Sequence, residues 1–211
     1  MTPGLPDPAA PARPKVPLSV CMITRNEEHN LAACLATVAD WAGEIVIVDQ
    51  FSTDRTVDIA RRFTPLVFQQ EVGVGSEVLF NNRELSYAKA SHDWIFWFDA
   101  DERVTPALAD EIGDFIAGPG DAVAAEIHRD TFFLGEQLTR GCFAHENHVR
   151  IFRKSRYRRP DRNFDDGLRF DGPVRRLRGV IQHHPYTSLT GQCLGVTELM
   201  GHFNETSSWD A

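Results

Sequence analysis

The hydrophobic positions of this chain fall into short, nearly continuous runs, each closed by a polar or acidic residue. Residues 17–24 (Pro-Leu-Ser-Val-Cys-Met-Ile-Thr), 44–49 (Glu-Ile-Val-Ile-Val-Asp) and 93–98 (Asp-Trp-Ile-Phe-Trp-Phe) are the three strongest. Runs of this length, rich in β-branched and aromatic residues, predict strands buried on both faces, as in a parallel sheet. Between them the apolar spacing turns helical. Leu31, Cys34, Leu35 and Val38 follow a polar turn at 25–30. A helix over 56–63 has capping side chains before it in Ser52, Thr53 and Asp54. Helices are also predicted over about 77–90 and over 106–117, the second with Pro106 in its first turn. Short strands are expected at 66–69 and 122–128. Strand alternating with helix over the first 128 residues predicts a doubly wound α/β sheet.

Beyond residue 128 the periodicity weakens. Residues 149–153 alternate like a strand, 156–178 read as a basic loop, and 179–186 read as a last strand and turn. Residues 1–15 hold five prolines and little that can pack, which predicts a disordered tail. The expected organisation is therefore a tail (1–15), an α/β half (16–128) and an irregular remainder of the same domain (129–211). Residues 71–76 contain Gly73 and Gly75 and read as a mobile loop; the pair lacks the third glycine of a dinucleotide fingerprint.

Right-handed crossovers place the ends of the three strong strands along one sheet edge, where ligands gather in open α/β folds. That edge collects Thr24, Asn26, Glu27, Asp49, Asp54, Asp99 and Asp101. The third run ends in three carboxylates, Asp99, Asp101 and Glu102. Period-two alternation predicts Asp99 and Asp101 on one side, roughly 6.6 Å apart. Two such carboxylates repel unless a cation lies between them, and a hard divalent ion shared with substrate phosphates is the usual answer. An isolated Asp-x-Asp is more often a solvated turn. The acids that also close the two earlier strands move the balance to a functional site.

At 211 residues, with 42% hydrophobic and 25% charged positions, the chain suits one domain with a sizeable core. The four cysteines form no close pair, which favours reduced core thiols over disulfides or a zinc site. No secretory h-region and no apolar run of about 20 residues occur, so the expectation is a cytoplasmic protein, with attachment to the inner face of a membrane left open. The net charge of −8 is uneven. Residues 150–178 carry eleven Lys/Arg against four Asp, a local +7 that leaves −15 on the rest. Such a segment either meets an anionic partner, such as phosphate or acidic lipid, or pairs with acidic surfaces of its own chain. No recognition motif or aromatic stacking platform accompanies it, so nucleic acid is not expected.

Three ordered segments resemble the inverting nucleotide-sugar glycosyltransferases of family 2, above all the bacterial enzymes of the lipopolysaccharide core and cell envelope. They are residues 18–28 (Leu-Ser-Val-Cys-Met-Ile-Thr-Arg-Asn-Glu-Glu), 48–56 (Val-Asp-Gln-Phe-Ser-Thr-Asp-Arg-Thr) and 93–102, ending Asp99-Ala100-Asp101-Glu102. Residues 146–153 (Glu-Asn-His-Val-Arg-Ile-Phe-Arg) are similar to a later segment of the family. The resemblance implies a GT-A fold: a Rossmann-like doubly wound mixed sheet with an irregular C-terminal acceptor region. It implies a nucleotide-diphosphate sugar as donor, Mn2+ or Mg2+ as cofactor, and a glycolipid or saccharide as acceptor. It further implies that Asp101 ligates the metal, that Asp99 touches metal or ribose, and that Asp49 accepts from the nucleotide. Thr24, Arg25, Asn26, Glu27 and Asp54 would line the base and ribose pocket, and Arg83 would lie near the phosphates.

An inverting transfer needs a carboxylate to take the acceptor's proton. Glu146 is the first candidate, with Asp165, Asp166 and Asp171 as rivals. His183 or His184 is a further candidate metal ligand. Relatives commonly carry Gly-x-Val-His-Glu where this chain has Gly172-Pro173-Val174-Arg175-Arg176, and often continue past the position of Ala211 into amphipathic helices. Those departures set the second expectation, a catalytically degenerate module that binds nucleotide sugar or scaffolds a partner. A nucleotidyltransferase is set aside, because Thr24-Arg25-Asn26-Glu27 has neither the glycine nor the lysine of a phosphate loop.

Overall fold

A computed structural model describes residues 14–70, 76–133, 135–140, 146–159 and 168–185. Most of the expected tail, the Gly73–Gly75 loop, and Asp165 and Asp166 lie outside the described residues.

The first apolar run forms β1 (Val16–Thr24), followed by α1 (Leu31–Ala36), β2 (Ala42–Asp49), α2 (Thr56–Phe63), β3 (Val67–Gln69), α3 (Ser76–Lys89) and β4 (Trp94–Trp97). Then come β5 (Glu102–Val104), α4 (Pro106–Ala117), β6 (Ala124–Phe133), β7 (Glu136–Gln137), β8 (Glu146–Arg153), β9 (Tyr157–Arg158), β10 (Arg169–Phe170) and β11 (Val174–His183). Among the described residues the main sheet runs β3-β2-β1-β4-β8-β6-β11-β5, with β7 hairpinned onto β6. The first four strands are parallel to one another. β8 runs against both β4 and β6, while β11 is parallel to β6 and antiparallel to β5. The sheet is therefore mixed and doubly wound, as expected.

Helices cover both faces because the central strands are apolar on both. Leu18, Val20, Met22, Phe96 and Ile127 pack with α1, α2 and α4 on one side. Cys21, Val46, Ile95 and Phe152 meet Tyr87 of α3 on the other. Ile95 and Phe96 are fully buried, each contributing about 1.5–3 kcal/mol. α4 starts where Thr105 Oγ1 accepts from Leu108 N at 3.3 Å and Pro106 takes the first position, a cap that contributes about 1 kcal/mol.

Three expectations need correction. The strand over 93–98 stops at Trp97, and residues 99–102 form a turn closed by Glu102 N donating to Asp99 O at 3.1 Å. Strand alternation does not reach Asp99 and Asp101, so the two carboxylates do not share a side for that reason. Glu102 is not a solvated acid at all: it opens β5 opposite His183 and is completely buried. Finally, the basic stretch 156–178 is not one loop. It contains the β9–β10 hairpin and the start of β11, a strand in the second half of the sheet. Arginines are tolerated there because the first residues of β11 are exposed. Among the described residues no helix is long and apolar enough to cross a membrane.

Candidate active site

The ends of β1, β2 and β4 lie side by side, as the crossover argument required. Thr24 pairs with Asp49 in register, and Cys21 pairs with Trp97 two residues before Asp99. Asp49 is fully buried and its carboxylate is engaged by its own chain. It accepts from Thr24 Oγ1 at 3.2 Å, from the Ser52 amide at 2.9 Å, from Ser52 Oγ, and from Gln69 Nε2 at 3.3 Å. A carboxylate has about four acceptor positions, so this acid holds the loop after β2 in shape.

That loop is laced to the one after β1. The Asn26 amide donates to Ser52 Oγ (2.9 Å), and the Thr53 amide donates to Asn26 Oδ1 (2.8 Å). The Glu27 amide donates to Thr56 Oγ1 (2.7 Å), and Asp54 accepts from the amides of Glu28 (3.1 Å) and Thr56 (2.9 Å). Asn26 and Phe51 both take left-handed backbone conformations, at φ 54° and 50°, where asparagine is tolerated and phenylalanine is strained. Phe51 stands more than half exposed at the rim. Arg25 is exposed beside it. Burial, and then the charge of Asp101, push Glu27 up to about 8.

The acidic turn is divided between two sets of partners. Asp99 Oδ2 accepts from Arg150 Nη1 at 3.1 Å, Asp99 Oδ1 accepts from Trp97 Nε1 at 3.2 Å, and Arg83 Nη2 lies 3.7 Å away. Both guanidinium groups stack on Trp97, Arg83 at 3.9 Å and Arg150 at 4.7 Å from the ring centre. Burial raises Asp99, but Arg150 and Arg83 outweigh it and bring the carboxyl down to about 2. Arg150 also donates to Glu102, whose Oε2 accepts the Asp99 amide at 3.1 Å. Burial pushes Glu102 up and Arg150 opposes it. Asp101 points elsewhere. Its Oδ2 lies 3.1 Å from His183 Nε2, and its carbonyl accepts the His184 amide at 2.8 Å. His183 Nδ1 is in turn 3.2 Å from Thr131 Oγ1.

Glu146 stands at the start of β8, across the site. Its Oε2 accepts from Arg129 Nε at 3.0 Å and from Arg129 Nη2. Burial opposes ionisation, but Arg129 outweighs it and holds the carboxyl below its ordinary value. Glu146 Oε1 takes no hydrogen bond from the described residues. The rival Asp171 is exposed beside the β9–β10 pair and is bonded to Arg158 Nε at 2.7 Å.

Sequence reasoning missed the central cation. Arg150 was legible only as part of the 146–153 segment and the basic stretch; it bonds Asp99 and Glu102. The cause is a register shift between β6 and β8: Ala125 pairs with Ile151 while Glu126 pairs with Val149, so Arg150 is the extra residue. Bulges of this kind re-aim a side chain, here into the carboxylates. Arg129, and the burial of Glu102 against Arg150, were missed for a related reason, since those partners lie on distant strands; Trp97 was read only as part of an apolar run.

For a metal, the donor set can be tested. Among the described residues no group of three or more His, Cys, Asp or Glu side chains is arranged to hold an ion. Asp101 with His183 supplies one carboxylate and one imidazole, and a divalent ion held by so few side chains takes the rest of its shell from phosphate oxygens and water. The pair fits that role. Asp99, already committed to two arginines, fits it less well.

Residues 19–170 match the family model described as Glycosyl transferase family 2. The lipopolysaccharide core biosynthesis glycosyltransferase LpsC of Rhizobium meliloti is 30% identical over 69% of this chain and 54% of its own length. An uncharacterised glycosyltransferase of Rickettsia typhi is 25% identical over 82% of this chain and 61% of its own. The chain thus spans between half and two thirds of these curated relatives. Among solved structures, S. aureus TarS in complex with UDP has a TM-score of 0.44 and 22% identity, covering 55% of this chain and 36% of that one.

Proposed function

The chain belongs to glycosyl transferase family 2, and from that premise we propose that it moves a sugar, with inversion, from a nucleotide-diphosphate donor to a glycolipid or saccharide acceptor. The observation that carries this reading is the 3.1 Å approach of Asp101 to His183 at the edge where β1, β2 and β4 end. A divalent ion held there would offset the negative charge of the departing diphosphate. An imidazole among the ligands favours Mn2+ over Mg2+.

The chain's own residues supply the remaining parts. The interlocked loops of Asn26–Glu27 and Ser52–Thr56 form a wall for the base and ribose, with Arg25 and Phe51 at its rim. Asp49 and Asp54 hold that wall from behind. Asp99, kept ionised by Arg150 and Arg83, is placed to accept from a ribose hydroxyl, while Arg83 brings a buried cation to the phosphate side. Glu146 takes the acceptor's proton through Oε1, with Arg129 fixing the carboxylate by Oε2. Its lowered affinity for protons keeps it ionised at neutral pH and makes it a modest base.

The proposed setting is the cytoplasmic face of a membrane, where a glycolipid acceptor would be met. The basic stretch is a weak anchor for that, since Arg150, Arg153, Lys154, Arg158 and Arg175 bond groups of their own chain. Calorimetry with UDP and GDP, with and without Mn2+, tests the reading: metal-dependent binding of one nucleotide is expected. Absence of binding by both would remove the donor site.

A further inference from the structure

A second concave site lies on the acceptor half of the sheet. It is a pocket of about 370 Å³ lined by His128, Arg176, Leu177, Arg178 and Val180, a size that admits a sugar-sized ligand. It is built by a bulge. Arg176 pairs with Glu126 and Val180 with His128, so β11 takes four steps where β6 takes two and carries two extra residues.

The bulge is held from behind by α4. Glu111 accepts from the amides of Arg178 at 2.9 Å and Gly179 at 2.7 Å, so the displaced donors are satisfied. A Cβ at residue 179 would stand 2.9 Å from Leu108 Cβ, so only glycine lets the strand sit this close to the helix. Leu177 turns inward to the core, and Arg176 and Arg178 turn outward to the pocket.

Acids lie near the pocket, Glu111 on two backbone amides and Asp130 on His128, but both are engaged away from the arginine side chains. Arg176 Nη2 donates to the neutral Asn147 Oδ1 at 2.9 Å, and His128 Nδ1 lies 3.2 Å from the same oxygen. The other ring nitrogen of His128 is 3.2 Å from Asp130. Among the described residues no carboxylate pairs with the guanidinium of Arg176 or Arg178. The neighbouring Arg175 is different, since it donates to Pro119 O at 2.8 Å and closes the end of α4. Two arginines at one concavity, in a chain of net charge −8, make a ready receptor for an oxyanion.

We propose that this pocket binds an oxyanion, a phosphate or carboxylate group carried by the acceptor saccharide, and so selects acceptors that are already anionic. β11 itself links the two places: its His183 touches Asp101, and Arg178 and Arg176 stand five and seven residues earlier on the strand, roughly 16–23 Å along a fully extended chain and less across the bulge. The pocket therefore engages a part of the acceptor beyond the sugar that reacts. What carries the anion rests on the glycosyltransferase reading; the anion site itself does not.

The test is a titration of the whole chain with inorganic phosphate, in EDTA and at constant ionic strength, followed by the backbone amide signals of His128 and residues 176–180 in nitrogen-15 NMR spectra. Saturable shifts of these signals are expected. The phosphate affinity they report should weaken at least tenfold in the double variant Arg176→Gln/Arg178→Gln and persist in Arg62→Gln, on the exposed side of α2. An equal response in the double variant would overturn the proposal. So would the absence of a saturable response in the parent protein together with phosphatidylglycerol-vesicle binding that the double variant loses, because the charge would then serve a membrane surface. UDP and GDP binding with Mn2+ is measured on the same samples. Phosphate binding without nucleotide binding upholds the pocket and removes the donor site; nucleotide binding without phosphate binding does the reverse.

Discussion

Arg150 reaches across 51 positions of sequence to hold Asp99 at 3.1 Å, and the same guanidinium bonds the fully buried Glu102. Removing it takes the hydrogen-bonded cation from the fully buried Glu102 and the part-buried Asp99, leaving only Arg129 and Arg83, each 3.7 Å away. Arg150→Met should therefore lower stability by about 3–5 kcal/mol, the usual cost of breaking a buried pair, read from urea unfolding. Arg150→Lys should recover only part, since a single ammonium cannot span both acids as the planar fork does. An unchanged unfolding midpoint in the Met variant would mean that the acids do not depend on Arg150.

Asp101→Asn and His183→Ala separate ligand binding from folding. Neither residue is buried, and both should leave the nucleotide-free melting temperature within a few degrees of the parent. The rise in melting temperature given by nucleotide with Mn2+ should vanish in Asp101→Asn and shrink in His183→Ala, because a ligand stabilises only in proportion to its affinity. A full Mn2+-dependent shift in both variants would move the metal elsewhere.

Glu146→Gln should reduce turnover by about 10²–10⁴ while nucleotide binding is retained. Since Arg129 holds Glu146 below the ordinary carboxyl value, the acid limb of the turnover profile should fall below pH 4.5. Arg129→Met should shift that limb upward, as the carboxylate loses its cation. A Gln variant with parental turnover would assign the base to another residue.

Glu44 gives the fold an acid-sensitive latch. It accepts from the Ser91 amide at 2.6 Å, from Ser91 Oγ at 2.8 Å and from Ser19 Oγ at 2.5 Å. Burial pushes the carboxyl up, yet these bonds outweigh it and hold it below 4.5. A lowered folded value means that its contribution is complete above pH 4.5 and is lost as pH falls through the folded value. Glu44→Gln should cost about 1–3 kcal/mol at pH 7 and flatten the acid side of the stability curve. Parallel curves for the two proteins would show that Glu44 does not titrate with folding.

Local pattern was enough for the elements that fold on local cues. α4 begins at its capping threonine and first-turn proline, and α2 spans the expected 56–63, although its N-cap is Arg55 without a side-chain cap and Asp54 instead accepts from the Thr56 amide. The strands closing at Thr24 and Asp49 were equally readable, because continuous apolar runs ending in polar residues have few other homes. β5 and the first half of β11, residues 174–178, were not, although 179–183 was read as strand. Three residues opening with a glutamate look like loop, and a strand starting with exposed arginines has no apolar alternation to betray it. The convergence of Thr24, Asp49, Asp99 and Asp101 was legible, yet the separation of Asp99 from Asp101 was not. That separation depends on Arg150 and His183, whose positions are set by a bulge and a long-range register, neither of which leaves a local trace.

The pairing of His183 with Asp101 and Glu102 has a consequence for assembly. The acidic turn is clamped by a strand some 80 residues later in the chain, and contacts of that separation close late because the intervening loop entropy must first be overcome. A polypeptide emerging residue by residue can set its first four strands well before β11 exists to dock. On the proposed reading, the loops that would face the nucleotide form through that interval before the Asp101–His183 pair is complete. Metal-dependent donor binding would then await the docking of β11, however early the first strands are set.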